Sequence, residues 1–395
     1  MHIPITRPYI TDREVELVGE SLQSGWLVQG PRVEEFEEKI SLYTGAKYAV
    51  AVNSCTSGQM ILSRILGLHP GQEVVLPAFT WISTAHAVEF TGAKPVLADI
   101  SLDTFNIDTG EMSTHIGPAT RALCPVSLFG RTADMPKIME TARLNNLEVV
   151  EDVACGLGSF LHGQHCGTFG NAGVLSFHPR KSITTGEGGV IITNDKKIYE
   201  MARSLREHGA TKSDYQRHKG SAPHQMSAYP HLGFNMRMTD MQAAVGLAQH
   251  EKLSEILEKR RQLAQEYTDR LSGLRWLKTP TIPEGHNHSF QTYCTLFKPQ
   301  ETTDAVGKKD QRRLDELHQE RNQVMENLAS LGIMTRPGTH ALHIQEYYQK
   351  KYGYNKMDFP AAYAADRLTI ALPLYPTMKK EEKDYLLDQL TKLNV

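Results

Sequence analysis

The sequence has no apolar run of about 18 or more residues, the length a helix needs to cross a bilayer, so no membrane span is expected. Its five cysteines (Cys55, Cys124, Cys155, Cys166 and Cys294) are scattered and odd in number. That usage fits reduced thiols better than a disulfide framework. Lys and Arg do not cluster, and the formal net charge is −2. A nucleic-acid surface needs a basic stripe, so no such partner is expected. Even in the most charged stretch, 299–320, acids are interleaved with the bases, and it reads as an exposed loop running into a solvated helix. Repeats and low-complexity segments are missing too. The stretch Met1–Asp12 has neither a basic n-region nor an apolar h-region, which predicts no signal peptide. These absences together predict a cytoplasmic protein.

What is present is ordinary for a soluble globular chain: 40% apolar and 22% charged residues. At 395 residues the chain exceeds one ordinary core, so two domains are expected. Helical spacing runs from Arg13 to Ser24 and from Val33 to Leu42. A strand-like run follows at 48–52, then NSCTSG and a helix over 59–66. Short apolar runs and helices then alternate through VVLP, PVLADI, Leu147–Val150, Val174–Phe177 and Gly189–Thr193. This alternation predicts an α/β fold with a mostly parallel sheet. A long helical signal over 240–265 marks the hinge, giving domains of residues 1–250 and 251–395.

Four segments carry candidate chemistry. In SFHPRKSITTGEGG, Lys181 follows a strand end, where α/β proteins bind ligands, and the glycines permit close backbone approach. Among cations a lysine's pKa is expected to fall, which favours an amine nucleophile; a solvated loop lysine is the alternative. Asp152 ends the apolar run 147–150 and can face the same crevice, or cap a helix. Asn53-Ser-Cys-Thr-Ser-Gly58 precedes a helix and outlines a phosphate site, or an ordinary N-cap. Trp81, in PAFTW, can stack on a planar ring or sit in the core. His162-Gly-Gln-His165-Cys166 reads as a tight hairpin, and no metal is expected there.

The order and spacing of these blocks are similar to the DegT/DnrJ/StrS family of pyridoxal-5′-phosphate (PLP) sugar aminotransferases, of the type I aspartate aminotransferase fold. The resemblance spans essentially the whole chain. It runs from SGWLVQGPRVEEFEEKISLYTGAKYAVAVNS through EDVACGLGS and SFHPRKSITTGEGGVIIT to LGFNMRMTDMQAAVGLAQ. It implies a large domain with a seven-stranded sheet flanked by helices, plus a smaller α+β C-terminal domain. It also implies that Lys181 forms the Schiff base with PLP and moves protons. Asp152 would meet the ring nitrogen and Trp81 would cover a ring face. Thr56, Ser57 and Ser176 would hold the phosphate. Asn235 would reach the cofactor of the other subunit in a homodimer.

Glu187, His340 and His343 are candidate substrate contacts. Cys155 replaces the Gln or His that the family places near the cofactor's 3-hydroxyl, and a thiol is a weaker hydrogen-bond partner. Cys55 stands where the family has Gly. The implied reaction transfers an amine from L-glutamate to a 3- or 4-keto group on a nucleotide-linked sugar. The competing readings are another PLP reaction (a dehydratase, or an aminocyclitol or aromatic synthase) and a non-catalytic PLP-binding regulator. Lys rather than His at 181 argues against the dehydratases.

Overall fold

A computed structural model of the chain describes residues 1–213, 215, 217, 226–393 and 395. Its centre is a seven-stranded sheet of β1 (Tyr48–Val52), β2 (Glu73–Pro77), β3 (Lys94–Ala98), β4 (Thr120–Leu123), β5 (Glu148–Asp152), β6 (Ala172–Ser176) and β7 (Gly189–Thr193). The spatial order is β1-β7-β6-β5-β4-β2-β3. Strands β3, β2, β4, β5 and β6 pair in parallel, while β7 runs antiparallel to both of its neighbours. Parallel sheets are covered on both faces, so their strands carry unbroken apolar runs. All five residues of both β6 and β7 are buried accordingly.

The covering helices are α1 (Asp12–Ser24), α2 (Pro31–Thr44), α3 (Cys55–Ile65), α4 (Ser83–Glu89), α5 (Thr109–Thr114), α6 (Met135–Asn145), α7 (Lys196–Leu205) and α8 (Asp240–Glu251). Helix α2 opens with Pro31, whose missing N–H is no loss there, and stops at Gly45, which takes a left-handed φ of 73°. The Asp240 carboxylate accepts hydrogen bonds from the backbone N–H groups of Gly30 (2.8 Å) and Val33 (3.1 Å). The start of α8 therefore supplies the anion that the positive end of α2 attracts.

The signal over 240–265 resolves into two helices, α8 and α9 (Leu253–Leu271), broken at Lys252. Beyond α9 lies an antiparallel sheet of β8 (Leu277–Lys278), β9 (Tyr293–Phe297) and β10 (Thr369–Leu372). Around it lie α10 (Pro299–Gly307), α11 (Gln311–Ser330), α13 (Pro360–Leu368) and α14 (Lys380–Lys392), while α12 (Glu346–Tyr352) rests on α4, where the Tyr352 hydroxyl donates to Glu89 at 2.6 Å. The expected loop at the start of 299–320 is instead helix α10. Pro299 sits at its first position, and Thr302 and Ala305 form a short buried stripe that the charged composition conceals. In α11, Leu314, Leu317, Val324 and Leu328 keep a helical spacing on the buried face.

The N-terminus joins this second sheet region. Ile3 N–H donates to the Gly332 carbonyl at 2.8 Å, and Met334 N–H donates to the Ile3 carbonyl at 2.9 Å. Ile3 is fully buried there, which contributes about 1.5–3 kcal/mol. No helix among the described residues is long and apolar enough to cross a membrane.

Candidate active site

Strand register decides where the site lies. Val52, the last residue of β1, pairs with Gly189, and Gly189 pairs with Ser176 at the end of β6. Asp152, at the end of β5, pairs with Val174. Four segments thus meet at one carboxyl edge of the sheet, the place where open α/β sheets receive ligands. A cavity of about 430 Å³ opens there. Thr56, Trp81, Asp152, Cys155, Ser176, Lys181 and Glu187 all line it.

Lys181 rides on a pinned turn. Its N–H donates to the His178 carbonyl (2.8 Å), Thr185 N–H donates to the Phe177 carbonyl (3.0 Å), and the Gln291 amide donates to the Arg180 carbonyl (2.7 Å). The Lys181 ammonium donates to Cys155 Sγ at 3.2 Å. Burial pulls the pKa of Lys181 down, but Cys155, with Cys55 and Asp152, more than reverses this and holds it above the ordinary lysine value. The lowered value expected from neighbouring cations is therefore corrected: sulfur and carboxylate, and not cations, dominate around Nζ.

Asp152 is buried and held from two sides. Its Oδ2 accepts from Gln59 Nε2 (2.6 Å) and Thr84 Oγ1 (2.7 Å), and its Oδ1 accepts from Ala154 N–H (3.1 Å). Burial pushes its pKa up, against the pull of these donors and of Lys181. Gln59 and Thr84 lie 93 and 68 residues away in sequence. No local pattern marks either of them. The adjacent Glu151 faces away from the cavity's lining and accepts backbone N–H bonds from Gly167 (2.7 Å), Phe169 (2.8 Å) and Gly170 (2.8 Å). Those bonds tie β5 to the segment that leads into β6.

The start of α3 forms another wall. Ser54 is the N-cap, and its Oγ accepts from Ser57 N–H at 3.1 Å. Ser57 is committed inside the turn, its hydroxyl donating to Asn53 Oδ1 at 2.6 Å, and it does not line the cavity. Ser54, Cys55 and Thr56 do. Gly189 makes this wall possible, because a Cβ there would fall 2.6 Å from Cys55 N and 2.7 Å from the Ser54 carbonyl. The strand can approach the helix start only without a side chain.

At the mouth, Trp81 is 49% exposed, and its ring lies 5.5 Å from that of His340. His340 pairs with Thr80 in a short antiparallel ribbon and stands outside the lining. His343 is fully buried, with Nε2 3.0 Å from the Lys356 carbonyl and its ring against Phe359; packing, not ligand contact, is its place here. The Glu187 side chain is exposed at the rim, and its carbonyl accepts from Thr185 and Gln242. Asn235 is exposed, bridges by backbone to Glu207, and does not line the cavity of its own chain. Residues 162–163 form the tip of the expected hairpin, with φ of 49° at His162 and 80° at Gly163. Sequence reasoning did not single out Arg180, Gln291 or Arg336, which also line the cavity.

This set suits pyridoxal phosphate. An amine stands beside a buried carboxylate. A capped helix start offers N–H groups and hydroxyls to a phosphate, and a glycine strand makes room for it. The comparisons agree. The family model of the DegT/DnrJ/EryC1/StrS aminotransferase family matches residues 8–391. The spore coat polysaccharide biosynthesis protein SpsC of Bacillus subtilis (strain 168) is 33% identical over 388 residues, covering 98% of this chain and 95% of SpsC. Spr1654 of Streptococcus pneumoniae, solved in its PLP form, superposes with a TM-score of 0.86 at 27% identity, over 98% of this chain and 97% of that one. PseC of Helicobacter pylori, an aminotransferase involved in the biosynthesis of pseudoaminic acid, gives 0.87 at 25% identity, over 99% of each chain. The chain therefore belongs to the DegT/DnrJ/EryC1/StrS aminotransferase family and is a PLP-dependent aminotransferase.

Proposed function

We propose that this enzyme transfers the amine of L-glutamate to a 3- or 4-keto group on a nucleotide-linked sugar. The observation that carries the reading is the convergence of Lys181, Asp152 and the α3 start on one cavity that stays open past Trp81. About 430 Å³ lies within the usual range of small-molecule pockets, and the open mouth leaves room for a substrate that projects outward. The sugar-biosynthetic relatives support the sugar; the nucleotide and the donor come from the family resemblance alone. The reading also includes a homodimer in the cytoplasm, with Asn235 of one subunit reaching the phosphate site of the other. Residues 1–250 would form the cofactor-holding domain and 251–395 the smaller one.

When bound, PLP supplies an aldehyde that accepts the amine and a ring that withdraws electrons. The chain's own residues do the rest. Lys181 Nζ takes the proton from the donor's α carbon and, in the second half-reaction, delivers one to the sugar carbon that receives the amine. Asp152, fixed by Thr84 and Gln59, presents a carboxylate in a buried setting where a cationic ring nitrogen gains most from it. Thr56, Ser54 and Ser176 offer hydroxyls and helix N–H groups to the phosphate. Trp81 supplies an apolar ring face, and Cys155 accepts a hydrogen bond from the Lys181 amine.

The test is a two-step assay. Holoenzyme is incubated with L-glutamate, and 2-oxoglutarate is measured. A panel of 3-keto and 4-keto nucleotide sugars is then added and read by mass spectrometry for the gain of an amine. Lys181→Ala is expected to lose turnover by at least about 10²-fold and to lose the visible absorbance of lysine-bound cofactor. Persistence of either, or no aminated sugar across the panel, overturns the reading.

A further inference from the structure

Cys155 stands apart from the other thiols of the chain. Cys124, Cys166 and Cys294 are buried, and the Cys166 thiol donates to the Gly156 carbonyl at 3.1 Å. Cys55 lines the cavity, but its thiol is turned towards the Val174 carbonyl (3.9 Å), and burial holds its pKa well above the ordinary value. Cys155 is half-buried, lines the same cavity and accepts a hydrogen bond from the Lys181 ammonium at 3.2 Å. Reactive cysteines sit in partly exposed, cationic surroundings, whereas buried thiols are inert. A cavity of about 430 Å³ gives a small solute access to this sulfur and this amine together.

Both partners are held by their backbones. Lys181 sits on the pinned turn described above. On the other side, Val153 N–H donates to the Val174 carbonyl (3.1 Å), Ala154 N–H donates to Asp152 Oδ1 (3.1 Å), and the Ser289 hydroxyl donates to the Cys155 carbonyl (3.4 Å). An N···S separation of 3.2 Å already falls in the span of about 3–3.5 Å from which positioned atoms react.

We propose that Cys155 and Lys181 form a reversible sulfur–nitrogen link when hydrogen peroxide enters the cavity while the lysine is free of cofactor, so that the pair is an oxidative modification site that closes the enzyme to PLP. In the first step the Cys155 sulfur attacks the peroxide: the O–O bond breaks, an S–O bond forms, sulfur gives up an electron pair and water leaves. In the second, Lys181 Nζ, as the free amine, attacks that sulfur. The S–N bond forms, the S–O bond breaks, and the hydroxyl leaves as water with one of the amine's protons. Condensation of a sulfenic acid with a nearby nitrogen is the reaction already known for backbone amides. A thiol reductant reverses it: two thiols become a disulfide, and the amine and the Cys155 thiol are restored. The proposal rests on the reading of Lys181 as the lysine that holds PLP, and it is independent of the amino donor and of the sugar. Lysine bound to the cofactor has no amine to give, so a loaded site is protected.

The experiment treats the full chain with hydrogen peroxide in two states, loaded with PLP and stripped of it by hydroxylamine. Mass spectrometry of the digested protein looks for a peptide pair joined through residues 155 and 181 and lighter than the sum of its parts by two hydrogens. Uptake of PLP, followed by the visible absorbance of lysine-bound cofactor, is measured before and after dithiothreitol. In the stripped wild type the joined pair should appear, and PLP uptake should fall by at least about tenfold and return with the reductant. The loaded enzyme should show neither change. Cys155→Ser, compared with its own untreated sample, should keep its PLP uptake through peroxide. In Lys181→Ala, Cys155 should be left as a sulfenic acid that dimedone traps. Oxygen gained on Cys155 of the stripped wild type with no joined pair overturns the proposal, and so does a Cys155→Ser variant that loses PLP uptake to peroxide as the wild type does. An untreated Lys181→Ala that still shows the absorbance of lysine-bound cofactor would instead overturn the reading of Lys181, so the two failures are told apart.

Discussion

The Lys181 ammonium lies 3.2 Å from the Cys155 sulfur, and both residues line the cavity. Burial lowers the lysine's pKa, and Cys155 does the most among its neighbours to raise it. Replacing it with alanine should let burial prevail and lower the pH at which Lys181 becomes a free amine. The measurement is the pH dependence of the rate at which the apoprotein takes up PLP. Its midpoint should move down in Cys155→Ala and back up in Cys155→Asp. A midpoint that ignores both changes would show that the thiol does not govern the amine.

Thr84→Val keeps the shape of the side chain and removes one of three donors to Asp152. A hydrogen bond to a charged group is worth about 1.5–3 kcal/mol. The pKa of Asp152, already raised by burial, should rise further, and kcat should fall by about tenfold or more. A pH–rate profile checks this: its acidic limb should shift upward in Thr84→Val. Thr84→Ser, which retains the donor, should restore the wild-type limb.

Gly189→Ala places a methyl group 2.6 Å from Cys55 N, a backbone atom that cannot swing aside. Overpacking of this kind costs about 1–3 kcal/mol. Because the displaced element is the start of α3, cofactor affinity should suffer more than stability. Thermal melting with and without PLP separates the two, and an equal loss in both would argue that α3 does not bind the phosphate.

Glu151 is fully buried, and burial pushes its pKa up to about 7, although three backbone N–H groups pull the other way. A carboxyl group raised in the folded state binds a proton that the unfolded chain, at about 4.3, has already released. Its contribution to stability is therefore complete below about pH 4.3 and is lost as pH rises towards 7, at up to about 1.4 kcal/mol per pH unit. Asp152, raised in the same direction, adds to the slope. Chemical denaturation between pH 5 and 7 should show a shallower dependence in Glu151→Gln than in the wild type. An identical slope would remove Glu151 from the linkage.

Much of the large sheet is legible in the sequence because its strands are short apolar runs separated by helical periods. The runs at Tyr48–Val52 and Gly189–Thr193 match strands residue for residue. Of the candidate site, the sequence brings out Lys181, Asp152 and Thr56, which the fold gathers on one cavity. The site is hidden where one residue depends on a distant one. Thr84 and Gln59 look like ordinary helix residues until the fold brings them to Asp152, and Arg336 lies in a different sheet region altogether. Side-chain type alone also does not tell where a group is spent: the Ser57 hydroxyl donates to Asn53, and His343 is enclosed by Phe359 and Lys356. Helix α10 was hidden by its charge, since solvent-facing residues outnumber its buried stripe.

Ile3 is stitched between Gly332 and Met334, while Ile5 and Thr6 line the cavity and Ile5 also accepts from Leu374. The polypeptide therefore runs between the two sheet regions not only through α9 but also through the stretch that leads from Thr6 to α1. That N-terminal stretch acts as a tether. Any swing of the β8–β10 region relative to the large sheet has to carry a strip of cavity wall with it. Trimming the first six residues would cut that tether and unroof the pocket in a single stroke, far in sequence from every residue that touches the chemistry.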